Sequence, residues 1–236
     1  MPSNLLTSHY DPGPGTSITT ASFTPVSGEL VLAFLSRKSA DVIATAPTCT
    51  GTNGLNVTWT RLQHVIHVGV GIYQSFAVFR GVPSSGTAGT LTFTFSPDSD
   101  IACNVSVLSF SGVDQTTNQG VVQSVTNQGT SATASVALAA FGSGSNITVW
   151  GAGYYATSSL VWTPGASYTK QSDLTAFTSA VGTAWLASSD TAPSGTIRSS
   201  STAAWEAIGV ELTVSTAGGG GLAIPVLTRQ YRQRVS

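Results

Sequence analysis

Three histidines are the first candidates for chemistry, because imidazole is the side chain most often used as a general base or metal ligand near neutral pH. They are His9, His64 and His67. His64 and His67 belong to the strand-like stretch "HVIHV", and a spacing of three places two side chains on opposite faces of a strand. No serine or cysteine near any of them completes a nucleophile motif. The histidines therefore predict neither a chelated metal nor a nucleophile–base pair.

Serine and carboxylate chemistry is also disfavoured by the sequence. The stretch "FGSGSN" lacks the second glycine of the G-x-S-x-G motif and has no strand-to-helix context. Most of the ten aspartates and glutamates lie in turn-like segments, where a short carboxylate side chain bonds to the local backbone. Asp98 and Asp100 in "SPDSD" supply too few ligands for a calcium site. We expect no catalytic residues, no bound metal and no cofactor.

The two cysteines leave two interpretations open. Cys49 lies in the turn-like "PTCTGTNG" and Cys103 in the strand-like "DIACNVSVLSFSG". They could form one disulfide bond or remain small core residues, because sequence alone cannot place them within bonding range. Metal binding is less favoured, since neither a CxxC motif nor a histidine cluster accompanies them.

Five tryptophans raise the question of sugar binding, because flat aromatic faces stack on sugar rings. Most of them are expected in the core, since a sandwich of this size needs large side chains between its sheets. Trp162, in the turn-like "LVWTPGASY", is the best candidate for an exposed position. Trp162 and Tyr168 therefore form the predicted glycan platform.

The composition favours strands joined by polar turns. Charged residues make up 8% of the 236 residues and apolar residues 41%, and the chain holds 25 glycines. This mixture is too apolar for a disordered chain, and its wet surfaces carry hydroxyls rather than charges. Three of the nine basic residues lie in the last eight positions, so the preceding body has an acidic excess. A body of this charge predicts no specific binding to nucleic acid.

Alternating apolar and polar residues recur along the chain and predict half-buried strands. In "GTLTFTFS", Leu91, Phe93 and Phe95 share one face. Two further stretches, "TASVALAAF" and "AWEAIGVELTV", repeat the pattern with Val136, Leu138, Ala140, Ile208, Val210, Leu212 and Val214. Runs rich in Gly, Pro, Asn and Asp separate about ten such strands. The spacing predicts an all-β fold, an antiparallel β-sandwich of jelly-roll type with a flexible C-terminal arm.

The predicted sandwich domain occupies residues 1–217, with an irregular N-terminal segment at 1–15. The Gln/Asn-rich segment 112–130 is predicted to carry the crossover between two sheets or between two halves of one sandwich. Two compact subdomains stay open as an alternative. Four consecutive glycines at 218–221 form a flexible linker and mark the clearest boundary.

Residues 222–236 are predicted to be an apolar and basic docking arm that orders only against a neighbouring subunit or a particle surface. Pro225 confines an extended segment to an edge or unpaired position, and apolar residues at intervals of four beyond it permit a short helical turn. A disordered, solubilising tail is the open alternative. The candidate docking residues are Leu222, Ile224, Val226, Leu227, Arg229, Tyr231, Arg232 and Arg234.

No targeting signal is visible in the sequence. The opening "MPSNLLTSHYDPGPG" has no basic region followed by an apolar one, so no signal peptide is predicted. No apolar run reaches the roughly 18 residues that a membrane span needs. Hydroxyl-rich, charge-poor β chains nevertheless tend to work outside cells. A virus particle released by lysis reconciles these observations, because its proteins are made in the host cytoplasm and reach the outside without secretion.

Seven stretches together resemble a β-sandwich module of the virion structural proteins of tailed bacteriophages, a module that also occurs in bacterial surface proteins. They are "GELVLAFLS", "NVTWTRLQ", "SFAVFRGV", "LTFTFS", "VSVLSFSGVD", "WTPGASYT" and "WEAIGVEL", within residues 27–214. The resemblance implies a capsid decoration protein or a fibre or tail component without catalytic residues. Its partners would be other virion proteins and copies of itself. The alternative is a carbohydrate-binding module that acts at the host cell surface.

Overall fold

The fold is almost entirely β. The structure, a computed structural model, describes residues 3–11, 15–39, 42–43, 45–69, 72–95, 100–116, 118–155, 162–176, 178–197 and 203–214. Two short 3-10 turns, at Asn53–Leu55 and Asn118–Gly120, are the helical elements in these ranges. The glycine linker 218–221 and the docking arm 222–236 lie outside the described residues, so both stay predictions.

The strands divide at the 3-10 turn Asn118–Gly120 into eight before it and eight after it. The first eight are β1 (Ser3–Asp11), β2 (Ser17–Thr19), β3 (Leu30–Ser39), β4 (Thr48–Gly51), β5 (Thr60–Gly69), β6 (Ile72–Gly81), β7 (Leu91–Thr94) and β8 (Asp100–Phe110). The second eight are β9 (Val121–Ser131), β10 (Thr133–Ser135), β11 (Ile147–Tyr155), β12 (Thr163–Pro164), β13 (Thr169–Ala176), β14 (Ser179–Leu186), β15 (Ser194–Thr196) and β16 (Ala203–Leu212).

Four antiparallel sheets form four layers. Sheet 1 has the order β1-β8-β3-β6-β5 and sheet 2 the order β13-β14-β11-β16-β9. These two large sheets face each other across a shared core. Cover sheet 1 (β2-β7-β4) packs on the outer face of sheet 1, and cover sheet 2 (β10-β15-β12) packs on the outer face of sheet 2.

The strand order repeats within the chain. Adding eight to each strand number of sheet 1 and cover sheet 1 gives the order of sheet 2 and cover sheet 2. The contacts between the large sheets are reciprocal, since β1 packs on β13 as β9 packs on β5. Reciprocal contacts are the mark of a two-fold relation between like units. Unit 1 (β1–β8) and unit 2 (β9–β16) are therefore two versions of one architecture.

Each unit has the strand arrangement of a jelly roll. Its first, third, sixth and eighth strands lie in the large sheet, and its second, fourth and seventh strands lie in the cover sheet. The fifth strand departs from this alternation by pairing with the sixth in a hairpin, so it leaves the fourth strand at a free edge. The predicted all-β antiparallel sandwich is confirmed, with the jelly-roll arrangement present twice.

Apolar side chains fill all three spaces between the layers. The central core joins the two large sheets through residues such as Phe34, Phe76 and Val210. Phe93 belongs to the core under cover sheet 1, and Trp150 to the core under cover sheet 2. Because both large sheets are covered on both faces, their central strands are buried on both sides.

The predicted register of β7 is confirmed. Leu91, Phe93 and Phe95 are buried, whereas Thr92 is half-buried and Thr94 is exposed. The strand belongs to a cover sheet with one face on the core and the other in solvent, and this is the arrangement that strict alternation predicts.

The half-buried pattern predicted for "AWEAIGVELTV" is wrong in part. Ile208, Val210 and Leu212 are buried as expected, but every residue of β16 is buried, including Glu211. Layers on both faces of sheet 2 remove the wet side that the alternation implied. Glu211 meets this constraint by accepting hydrogen bonds from the side chains of Asn146 and Gln123.

The ends of two predicted patterns, "TASVALAAF" and "AWEAIGVELTV", also differ from expectation. Val136 and Leu138 are buried, and their amides donate to the Pro193 and Thr191 carbonyls, whereas Ala140, beyond this pairing, is exposed. Val214 is half-buried and forms an isolated bridge with Val113.

The irregular segment predicted at 1–15 is also wrong for most of its length. Ser3–Asp11 forms β1, which pairs with β8 at the edge of sheet 1. The segment 112–130 does carry the crossover from sheet 1 to sheet 2, but its second half is the strand β9. Both strands lie at sheet edges, and β9 has exposed polar positions, so neither shows the apolar run that identifies a strand in sequence. The single domain at 1–217 stays a prediction, now with two units inside it.

Candidate functional site

Trp162 is not an exposed platform. Its side chain is 0% exposed and lies in the core under cover sheet 2, with its ring centroid 5.2 Å from that of Trp150. A Cβ on Gly182 would come within 2.3 Å of the Trp162 ring, so the ring packs directly on the strand backbone. The prediction of exposure is wrong because cover sheet 2 is short and needs a large ring to fill the space beneath it.

Tyr168, the other residue of the predicted platform, does border a surface cleft. The Tyr168 cleft, about 320 Å³, is lined by Gly165, Ala166, Ser167, Tyr168, Leu186, Ser189, Asp190 and Ser194. The Tyr168 hydroxyl donates to Asp190 Oδ2 at 2.8 Å, and its ring meets Trp150 edge-on. Burial raises the pKa of Tyr168, and the hydrogen bond to Asp190 and the charge of that carboxylate raise it further. The phenol therefore stays protonated.

A second cleft has Trp59 at its border and was missed in the sequence. The Trp59 cleft, about 400 Å³, is lined by Pro47, Thr48, Cys49, Trp59, Thr60, Arg61 and Phe79. Trp59 Nε1 donates to the Leu55 carbonyl at 3.0 Å. Arg61 Nη1 donates to the Pro47 carbonyl at 2.8 Å, which ties β5 to the segment before β4.

The two clefts share one equivalent position, the aromatic residue before the fifth strand, and otherwise differ. The Trp59 cleft lies between β4 and β5, whereas the Tyr168 cleft is lined by the connection from β12 to β13, the end of β14, residues 189–190 and Ser194 of β15. Trp59 directly precedes β5 and Tyr168 directly precedes β13. The sequences there are "WTR" and "YTK", an aromatic residue, a threonine and a basic residue. This three-residue repeat is the sequence counterpart of the structural relation between the units, but it is too short to reveal that relation alone.

The basic residue makes the same contact in both units. Lys170 Nζ donates to the Trp162 carbonyl at 3.2 Å, just as Arg61 donates to Pro47. Pro47 and Trp162 are the residues that precede β4 and β12. These equivalent hydrogen bonds show that Arg61 and Lys170 occupy corresponding positions in the two units.

His64 and His67 lie as the sequence predicts. His64 pairs with Ala77 and His67 with Gln74, so the two rings point to opposite faces of β5. Burial lowers the pKa of His67. Across the described ranges, no group of three or more His, Cys, Asp or Glu side chains could hold a metal ion.

The two cysteines lie in the same core but form no disulfide in the structure. Cys103 is buried on β8 and Cys49 is half-buried on β4. Burial raises the pKa of the Cys49 thiol, so it is not a reactive thiolate at neutral pH. Of the two interpretations left open by the sequence, small core residues is the one that the structure supports.

A layer of buried polar side chains between the two large sheets was also missed in the sequence. Ser172 is bonded to Ser106 at 2.8 Å and to Thr183 at 2.7 Å, which links the sheets. Glu206 is fully buried, and neither carboxyl oxygen lies in hydrogen-bonding geometry with another residue. Burial raises the pKa of Glu206 well above its ordinary value. These groups were missed because a polar side chain in phase with core residues, as Glu206 is with Ile208 and Val210, gives no sign in sequence that it is buried.

The remaining predicted site, the docking arm, lies outside the described residues. Its candidate residues therefore keep the status of a prediction. Within the described part of the chain, no helix is long and apolar enough to cross a membrane. No family model, curated protein or solved structure matches the chain.

Proposed function

We propose that this chain is a non-enzymatic structural protein of a bacteriophage virion, a capsid decoration protein or a fibre or tail component. It assembles with other virion proteins and with copies of itself, and docks through residues 222–236. The protein is made in the host cytoplasm and works in the particle. The sequence stretches that resemble phage virion modules lie within 27–214, which spans both units.

The four-layered architecture is the observation that carries this proposal. Both large sheets are covered on both faces, and one apolar core joins the two units. Such a body resists shear between its layers, because sliding would open well-packed apolar contacts. Rigidity of this kind suits a building block that meets the same neighbours many times in a particle.

The charge distribution supports the same proposal. The described residues carry few charges, and several of them are used internally, for example Arg37 against Ser75 and the Phe95 ring. The alternative function, a carbohydrate-binding module at the host cell surface, loses its exposed Trp162 and retains Tyr168. Specific nucleic-acid binding finds no support in a body with an acidic excess.

The test is the protein composition of particles released from the host that carries this gene. Particles are purified by density gradient and their proteins are quantified by mass spectrometry against the major capsid protein. We expect many copies of this chain in each particle, in a fixed ratio. Recovery of the chain only from the soluble fraction of the lysate would contradict the proposal.

A further inference from the structure

We propose that the solvent face of cover sheet 1, and the smaller solvent face of cover sheet 2, bind the surface of ice. This inference goes beyond a structural role in a particle and does not depend on it. Its starting point is that each cover sheet carries hydroxyl side chains in register across its three strands, with no charged side chain at these positions.

The hydroxyl side chains of cover sheet 1 form rows that run across the strands. In one row, Thr94 of the central strand β7 lies between Ser17 of β2 and Thr48 of β4. The next row has Thr92 at its centre, and a third continues through Thr90. Hydroxyl face 1 consists of Ser17, Thr19, Thr48, Thr50, Thr52, Thr90, Thr92 and Thr94.

The core beneath hydroxyl face 1 fixes the direction of its side chains. Ile18, Leu91 and Phe93 alternate with the hydroxyl residues and are buried under cover sheet 1. The hydroxyl residues therefore point away from the core, and Thr48 and Thr94 are exposed. Because threonine is branched at Cβ, its χ1 angle is restricted. The hydroxyls and methyls of this face are thus positioned before a partner arrives.

Cover sheet 2 presents the same pattern at equivalent positions. Thr196 of its central strand β15 lies between Thr133 of β10 and Thr163 of β12. Ser194 pairs with Ser135 in the next row. These five residues form hydroxyl face 2.

The two faces share hydroxyls although the residues beneath them differ. Phe93 at the centre of cover sheet 1 corresponds to Gly195 in cover sheet 2, and Ile18 corresponds to Ala134. Strand propensity favours threonine on such a face, but it favours valine, isoleucine and tyrosine as well. Hydroxyls at matching positions of both units point to a partner that recognises hydroxyls.

The spacing and chemistry of these faces suit ice. Neighbouring strands lie about 4.8 Å apart, and alternate residues of one strand lie about 6.7 Å apart. Each hydroxyl can donate and accept hydrogen bonds, as each water molecule in ice does. Thr19 and Thr92 share one bond of 2.9 Å, which leaves one O–H and several lone pairs of the two for water. A charged side chain would instead hold water in its own hydration shell.

The size of hydroxyl face 1 argues against a protein partner. Its three rows span about 10 Å across the strands and about 13 Å along them. A stable interface between proteins takes about 800 Å² from each partner. An ice surface repeats the same lattice at every position, so binding depends on matched spacing rather than on a large complementary shape.

Incorporation into ice is the direct test. The full-length protein is mixed with a reference protein that does not bind ice, the solution is frozen slowly onto an ice-coated surface, and both proteins are quantified in the ice and in the remaining liquid. Growing ice excludes solutes that do not bind it, so we expect this chain in the ice and the reference in the liquid. Equal exclusion of the two proteins would overturn the proposal.

Substitutions at the centre of each face identify the binding surface. Thr94→Tyr and Thr196→Tyr place a phenol ring over the neighbouring hydroxyls, and tyrosine keeps a high strand propensity. Each single variant should lose part of the incorporation, and the double variant should lose all of it. The matched control is Thr126→Tyr, at an exposed threonine of β9 outside both cover sheets. Incorporation of the double variant at the level of this control would overturn the proposal.

A charge on the face gives an independent readout at little risk to the fold. Thr48 is exposed on the edge strand β4, and lysine is well tolerated on sheet edges. Thr48→Lys should reduce incorporation, whereas Thr126→Lys should leave it unchanged. Circular dichroism melting shows that each variant is folded. Equal incorporation of these two lysine variants would overturn the assignment to hydroxyl face 1, and particle composition is unaffected by either result.

Discussion

Glu206 is a fully buried carboxyl without a hydrogen-bond partner in the described part of the chain. Its carboxyl lies between the two large sheets without a bond to another residue, and burial raises its pKa. The unfolded carboxyl ionises near 4.5, the folded one at higher pH. The folded protein therefore has its full stability below pH 4.5, where Glu206 is protonated in both states. This stability is lost as the pH rises through the pKa of the folded state, because burying the ionised carboxylate is unfavourable. Each unit of pKa difference is worth about 1.4 kcal/mol.

The variant Glu206→Gln tests this environment. We expect it to raise the free energy of unfolding at pH 8 and to flatten the fall in stability between pH 5 and pH 8, because a neutral amide does not ionise. Urea unfolding across that pH range measures both effects. The control is Glu211→Gln. The Glu211 side chain accepts two side-chain hydrogen bonds, so this variant should be less stable than the wild-type protein.

Phe93 and Thr94 are neighbours with opposite environments. Phe93 is fully buried under cover sheet 1, whereas Thr94 is exposed. Phe93→Ala should cost about 3–5 kcal/mol of unfolding free energy through the cavity it leaves, and Thr94→Ala under about 1 kcal/mol. Guanidinium unfolding of the two variants gives the comparison. Similar costs for both would contradict the register of β7.

At the scale of the elements, predictability follows from how many faces a strand has in solvent. β7 has one wet face, and its alternation identified both strand and register. β16 has no wet face, so its alternation predicted the strand correctly and its environment wrongly. The edge strands β1 and β9 have too few apolar residues to be predicted as strands from sequence. Patterns of apolar and polar residues indicate which side chains are buried. They do not identify strands that are held mainly by backbone hydrogen bonds.

The candidate site was only partly predictable for a related reason. Tyr168 was named because aromatic residues cluster near it in sequence, but Trp59 stands alone and was assigned no role. Their equivalence depends on strand order, which brings β4 beside β5 and β12 beside β13. A repeat of three residues, "WTR" and "YTK", is too short to identify a duplication before the topology is known.

The edge strand β1 offers a prediction at this scale. It pairs with β8 along most of its length, so removing residues 1–14 leaves β8 as an exposed edge of sheet 1. In a chain of this size each kcal/mol lost lowers the melting temperature by about 2–4 °C, and we expect a fall of at least about 5 °C together with self-association. Thermal melting and light scattering measure the two effects. Removing only residues 1–2 should change neither.

For the whole molecule, the decisive question is what the segment after the glycine linker does. Burying four or five apolar side chains of the docking arm could contribute about 6–15 kcal/mol, whereas three exposed arginine pairs contribute about 0.6–3 kcal/mol in total. A chain that ends at Ala217 should therefore fold and stay soluble but fail to assemble or bind particles. Leu227→Asp should weaken particle binding more than the matched variant Arg232→Ala, as measured by co-sedimentation. Equal co-sedimentation of the truncated and full chains would show that the arm has no docking role.

The contact between Lys38 and Tyr155 shows what joining two units in one chain makes possible. Each is the ninth residue of its strand, β3 or β11, and the Lys38 ammonium lies 4.4 Å from the centroid of the Tyr155 ring. Equivalent residues that touch each other must lie on the dyad that relates the units. A homodimer of identical units would place two lysines or two tyrosines there, and two buried lysines would repel each other. In a single chain the two equivalent positions need not carry the same residue, so a lysine can face a tyrosine across this axis.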